Sequence, residues 1–262
     1  MLSGIGPSDQ LTALGLPVLV DLPAVGKNFK NHVTLRTDSS LTPNLTIENP
    51  EKLYFGKYGP LSQFPYTLAY LSSSSNDDIN WPNIFLTSYI GTKNTIAHMI
   101  SLARIKSVGE VRLQSTSPYI QPSIDPNHLS DPTDLENFSE GVRFMLYISE
   151  HPVLISDMTV QSLKQVGCDL CPVGTPDFEC VEGINCYIKK ATSMHHPCCT
   201  CRMGAADRAD TVVTPQLNVK GCEHLRVCDA SIMPDLINAN TNAATMMIGE
   251  YCAQIIKNNY KI

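Results

Sequence analysis

Leu225-Arg226-Val227-Cys228-Asp229-Ala230-Ser231-Ile232-Met233-Pro234, followed closely by Asn240-Thr241-Asn242-Ala243-Ala244-Thr245-Met246-Met247-Ile248-Gly249-Glu250, decides how this chain is built. The first part is an apolar strand pattern that ends on an acid and is stopped by proline. The second part is a capped helix start. Just upstream stands His195-His196-Pro197-Cys198-Cys199-Thr200-Cys201-Arg202-Met203-Gly204. A histidine beside a turn stiffened by proline, with an amide at a helix start nearby, is equipment for handling a proton and a polarised oxygen. The helix is predicted over about 242–258, capped by Asn240 or Thr241, with Ala244, Met247, Ile248, Tyr251 and Ile255 on its buried side. Residues 212–219 and 225–228 read as two short strands ahead of it.

Outward from there, the N-terminal stretch carries a short helical segment over 8–14 closed by Gly15, then a short buried strand over 17–22. Residues 33–37 and 84–89 are rich in β-branched and aromatic side chains and read as strands. Ser72-Ser73-Ser74-Ser75-Asn76-Asp77-Asp78 between them reads as an exposed loop. Residues 109–115 alternate with period two, as a one-sided strand does. Asp131 opens a helix running to about Glu150, with Leu135, Phe138, Val142, Met145 and Leu146 recurring at helical spacing. The chain is therefore expected to begin and end in one α/β unit with a β-rich insertion between, an α/β (α+β) class overall.

Composition narrows the function. The chain has 262 residues, 43% hydrophobic and 17% charged, with net charge −6 from 19 basic and 25 acidic residues. No Lys/Arg cluster is denser than Lys189-Lys190, which argues against nucleic acid, and no apolar run is long enough to span a membrane. Ten cysteines point to an oxidising compartment. Cys168, Cys171, Cys180 and Cys186 suit a disulfide-stapled surface loop of unassigned connectivity, with zinc at Cys168-x-x-Cys171 as the rival reading. The sequons Asn44-Leu45-Thr46 and Asn137-Phe138-Ser139 fit the same compartment. The start, Met1 to Pro7, lacks the regions of a signal peptide, and loss of the true N-terminus would reconcile these signals. No G-x-G-x-x-G occurs, so a dinucleotide would need an anchoring loop from elsewhere.

Several separated blocks resemble the glucose–methanol–choline (GMC) family of flavin oxidoreductases, and more narrowly the insect-type FAD-dependent glucose dehydrogenases. They are Leu2-Ser3-Gly4-Ile5-Gly6-Pro7; Asp21-Leu22-Pro23-Ala24-Val25-Gly26-Lys27-Asn28-Phe29-Lys30-Asn31-His32; Pro122-Ser123-Ile124-Asp125-Pro126-Asn127-His128-Leu129; and the two C-terminal stretches quoted above. The resemblance implies a partial FAD-binding domain from residues 1–32 and 191–262, with an antiparallel-sheet substrate domain over 33–190 carrying helices on one face. It implies that an N-terminal part bearing the glycine loop is missing, and that the protein is secreted.

By the same resemblance His196 is the catalytic base and Asn242 its amide partner, in oxidation of a small alcohol or sugar with hydride transfer to flavin N5. Asp229 and Ala230 would meet the ribityl–diphosphate region of FAD, and Ala243 would offer a backbone N–H to the ring. The start of the last helix favours negative charge on a reduced flavin. No aromatic-rich cage stands out for a quaternary ammonium, so a sugar is expected over choline. The electron acceptor, a quinone-type compound or oxygen, is left open, and no metal is implied. His32 is expected to be a structural hydrogen-bonder and His195 a shape filler. The chain departs from the family pattern where Cys198-Cys199 replace an apolar residue and a glycine, Ala24 a glycine, and Asn31 an aspartate. The alternative reading is a truncated or degenerate member without catalysis, a secreted binding or structural protein.

Overall fold

The computed structural model describes residues 1–41, 50–56, 66–90, 95–152 and 158–261. In chain order the elements are β1 (Ile5–Gly6), α1 (Ser8–Ala13), β2 (Val20–Asp21), β3 (Val33–Leu41), α2 (Pro50–Phe55), β4 (Tyr66–Leu71), β5 (Ile84–Ile90) and β6 (Thr95–Leu102). They continue with β7 (Glu110–Arg112), β8 (Ser123–Asp125), α3 (Pro132–Ser149), β9 (Met158–Val160), α4 (Val181–Ile188) and α5 (Asn242–Tyr260). The chain divides into two compact units, Met1–His32 with Ile105–Asp131 and Ser193–Ile262, and Val33–Arg104 with Pro132–Thr192.

In the second unit β3, β6, β5 and β4 lie side by side, all antiparallel, and β9 pairs with the far end of β3. The register sets Thr37 opposite His98 and His98 opposite Ser88. Alternation puts Ile84 and Ile100 on the face that α3 covers, and Gly141 permits the approach: a Cβ there would sit 3.0 Å from Ile100 and 3.2 Å from Ile84. Phe138, Val142, Met145 and Leu146 of α3 are buried. Leu135, expected with them, is 40% exposed, because the buried stripe runs through Asp134, Phe138 and Gly141 and passes beside it. The serine loop is less exposed than its composition suggests. Ser73 is buried, and the hydroxyls of Ser73 and Ser75 donate to Asn137 Oδ1 at 2.8 and 2.7 Å. Asn137 is thereby buried on α3, which overturns its reading as a glycan acceptor; Asn44 lies outside the described residues. The cysteine-rich loop is stapled by Cys168–Cys186 and Cys171–Cys180. The zinc reading falls, since both sulfurs of Cys168-x-x-Cys171 are committed to bonds with different partners.

In the first unit β1 and β2 pair in parallel, Ile5 with Val20 and Gly6 with Asp21. Gly26 holds φ +82 where a Cβ would fall 2.3 Å from Val111 O, so the turn requires glycine. Val111 N–H donates to Gly26 O, Phe29 and Gly109 exchange two backbone bonds, and Leu113 N–H donates to Gln10 Oε1. These bonds draw residues 105–131 to the terminal segments, out of the 33–190 stretch in which the sequence places them. The core gathers Leu22, Ala24, Val212, Val213, Leu217, Val219, Ile232 and Cys252. Residues 212–219 and 225–228 form isolated bridges, Val213 with Val219 and Asn218 with Arg226, in place of the expected strands. Pro215 lacks an N–H, and Leu217 turns at φ +66, so no ladder can extend. A third disulfide, Cys228–Cys252, joins the stretch before Asp229 to α5. It turns Cys252 inward with Ile248, Ile255 and Ile256, and leaves Met247 and Tyr251 about 60% exposed, correcting the buried face expected for that helix.

Candidate active site

Lys30-Asn31-His32 runs antiparallel to the segment that carries His196. Met194 N–H donates to His32 O at 2.9 Å, and Lys30 and Cys198 exchange backbone bonds at 3.0 and 3.2 Å. Asn31, buried between the two, uses both ends of its amide: Nδ2 donates to Met194 O at 2.6 Å, and Oδ1 accepts from His196 N–H at 3.1 Å. The departure from aspartate at this position is thus a two-sided clamp on the histidine segment. Lys30 Nζ anchors the far side, bonding Ile105 O at 2.8 Å and Asp235 at 2.6 Å.

His196 meets His32 edge to face, Nδ1 to Nδ1 at 2.8 Å, and His32 Nε2 lies 3.1 Å from Ile237 O. A carbonyl can only accept, so His32 Nε2 carries a proton and, in the neutral ring, its Nδ1 is the acceptor. His196 Nδ1 is therefore the donor, which leaves the lone pair of His196 on Nε2. Burial, with His195 as a lesser cause, lowers the His196 pKa from 6.5 and favours the neutral ring. A neutral histidine whose Nε2 accepts has the chemistry to take a proton.

Beyond His196 the chain turns at Cys199, which adopts φ +77, the left-handed conformation a glycine would supply. From there it runs along the Asp229 turn: Cys199 N–H donates to Ala230 O, Cys201 N–H to Ser231 O and Met203 N–H to Ile232 O. Asp229 caps that turn through Oδ1, which accepts from Ser231 N–H at 2.8 Å, and its carboxylate is exposed. A cavity of about 670 Å³ opens here, lined by Phe29, Pro197, Cys198, Asp229, Ala230 and Thr245 among others. Asn242 and Ala243 are exposed in the first turn of α5, and Thr241 makes no side-chain capping bond, so the first N–H groups of the helix are open donors.

The structure thus brings Pro197 and Cys198, which follow His196, and Asp229-Ala230 to one cavity, while His196 itself is buried behind its wall. It places Asn242 and Ala243 at the helix start one turn before Thr245, outside the residues that line it. His32 is the structural hydrogen-bonder the sequence suggests, but sequence reasoning missed its partner His196 and the clamp of Asn31. The Asn31-His32 doublet was visible, but its partner lies 164 residues away from His32 and no local signal names it.

The family model of GMC oxidoreductase matches residues 106–249. The mitochondrial choline dehydrogenase of Mus musculus is 32% identical over 286 residues, covering 98% of this chain and 45% of that protein. An alcohol dehydrogenase (acceptor) of Pseudomonas putida is 34% identical over 280 residues, covering 98% and 48%. A formate oxidase structure superposes with a TM-score of 0.78 at 21% identity, over 99% of this chain and 52% of the other, and shares the fold. The chain spans about half the length of the curated relatives it matches. With the match covering more than half its residues, this chain belongs to the GMC oxidoreductase family.

Proposed function

We propose that this chain forms the proton-handling part of an FAD-dependent oxidoreductase that oxidises a CH–OH group, with His196 as the base. The His32–His196 pair carries the reading, because its proton inventory leaves His196 Nε2 as an acceptor in a ring that burial keeps neutral. His196 Nε2 takes the hydroxyl proton of the substrate as hydride leaves its carbon, and the Asn242 amide holds the same oxygen without titrating. When bound, FAD supplies the hydride acceptor. The residues present suit that group: the open first turn of α5, with Asn242 and Ala243, favours an anionic ring through its N–H groups and dipole. Asp229 and Ala230, at the cavity wall, would meet the ribityl–diphosphate part.

The related choline and alcohol dehydrogenases support an alcohol as substrate class. Within that class a sugar is favoured over a quaternary ammonium, since among the described residues Phe29 is the one aromatic of the cavity wall and one ring makes no cage. A quinone-type acceptor and a secreted location complete the proposal. Cys199 at φ +77 keeps the turn that the family's glycine would make, which weakens the degenerate, non-catalytic reading.

The test is anaerobic flavin reduction in protein expressed from its full-length transcript, with glucose, other alcohols and choline as substrates. Replacing His196 by alanine is expected to slow bleaching by about 10²–10⁴-fold while FAD stays bound. Bleaching at the unaltered rate in that variant would remove His196 from the chemistry, and a folded protein that takes up no FAD would remove the flavin.

A further inference from the structure

Cys198 and Cys199 are adjacent, both almost fully buried, and their sulfurs stand 2.6 Å apart. A disulfide bond is about 2.05 Å long, so the two atoms are already within a small adjustment of bonding. The fold imposes this approach from both sides. Cys198 is held by its paired backbone bonds to Lys30, and Cys199 by its bond to Ala230. The left-handed backbone at Cys199 is strained for an L-residue, and a covalent link between the side chains would hold it there. The chain carries three other disulfides, so it matures where thiols are oxidised.

We propose that Cys198 and Cys199 form a fourth disulfide, between adjacent residues, that closes the turn following His196 and Pro197. The oxidant is a small-molecule disulfide such as oxidised glutathione. In the folding chain Cys198 attacks one of its sulfurs and releases the first thiol. Cys199 then attacks the Cys198 sulfur of the mixed disulfide and releases the second. One sulfur–sulfur bond breaks and one forms; the two cysteines lose two electrons and two protons, which leave with the two small thiols. Contact with Cys199, followed by burial, pushes the folded Cys198 thiol up, so the exchange belongs to the folding chain, before the site closes. A ring this small departs from ordinary disulfide geometry, where the Cα atoms are at least about 4.4 Å apart, and such bonds reduce readily. The redox state met during folding thereby sets the turn that presents His196. The inference rests on sulfur geometry and stands apart from the flavin reading.

The test uses the chain produced in an oxidising secretory host, purified without reductant and denatured in the presence of iodoacetamide. Trypsin cuts after Lys190 and Arg202 and releases residues 191–202, which carry Cys198, Cys199 and Cys201. The expected peptide bears one alkyl group, on Cys201, and is about two daltons lighter at Cys198-Cys199 than the dithiol. Reduction before alkylation is expected to place the label on all three. Cys201→Ser is expected to keep the mass deficit. Alkylation of Cys198 or Cys199 in the unreduced protein, or loss of the deficit in Cys201→Ser, would overturn the proposal.

Discussion

Replacing His32 by leucine tests the proton inventory of the histidine pair. His32 is fully buried, and the change removes both the acceptor for His196 Nδ1–H and the donor to Ile237 O. Leaving two buried polar groups without partners costs about 1–3 kcal/mol each, and the apolar side chain gives back about 1–2 kcal/mol of burial. The net expectation is a loss of about 3 kcal/mol, or roughly 6–12 °C in the unfolding midpoint for a protein of this size. The amide of His32→Gln can accept from His196 and donate to Ile237 O, so that variant should recover most of the loss. In the full-length protein, flavin reduction should fall about 10–100-fold in the leucine variant, as when the partner that orients a functional histidine is removed, and less in the glutamine one. Urea unfolding and stopped-flow absorbance read the two effects. The assay closest to the claim is ¹⁵N NMR of the His196 ring, expected to show the proton on Nδ1 in the neutral form. A ring protonated on Nε2, or a glutamine variant as damaged as the leucine one, would refute the reasoning.

Asn31→Ala removes both ends of the clamp on the histidine segment and should cost about 2–3 kcal/mol. Hydrogen exchange at the His196 amide should speed up in proportion, and unchanged protection there would show that the clamp is idle. Burial lowers the pKa of both His196 and His98 from 6.5, so the unfolded chain binds more protons in the window just below that value. Stability contributed by these rings is present above pH 6.5 and lost as pH falls through their lowered values, so the thermal midpoint should drop on acidification, and a flat midpoint would count against their burial. Enzymatic deglycosylation should leave the peptide bearing Asn137 unchanged in mass, because its amide is buried under Ser73 and Ser75; a glycan there would contradict that packing.

Much of the architecture was legible because it follows local periodicity. The helix of residues 132–149 and the strands around 33 and 84 bury the faces their patterns indicate. The site was legible in part. The Asp229 turn follows from an acid, small residues and a proline in sequence, and it forms as a capped turn. What escaped depends on partners distant in the chain. The face of α5 is set by the bond from Cys252 to Cys228, which rotates the buried stripe away from Met247 and Tyr251. The hydrophobic residues of 212–219 promised strands, yet a proline and a left-handed leucine make a knot of turns. Asn31 looked like a lost aspartate, and its use became visible through Met194 and His196 together.

The first unit is assembled from three separate stretches, and that nesting has a consequence for synthesis. Met1–His32 is made before the rest of its unit, and Ser193 and the residues after it complete that unit. At about 5–20 residues per second, the intervening stretch of roughly 160 residues takes on the order of 10–30 s to appear. Through that interval Leu22 and Ala24 lack the core partners Val212, Val213 and Ile232. His32 likewise waits without His196. A chain interrupted on the ribosome before residue 193 would expose this sticky, unfinished stretch, and in cells such products should be drawn to chaperones and proteases.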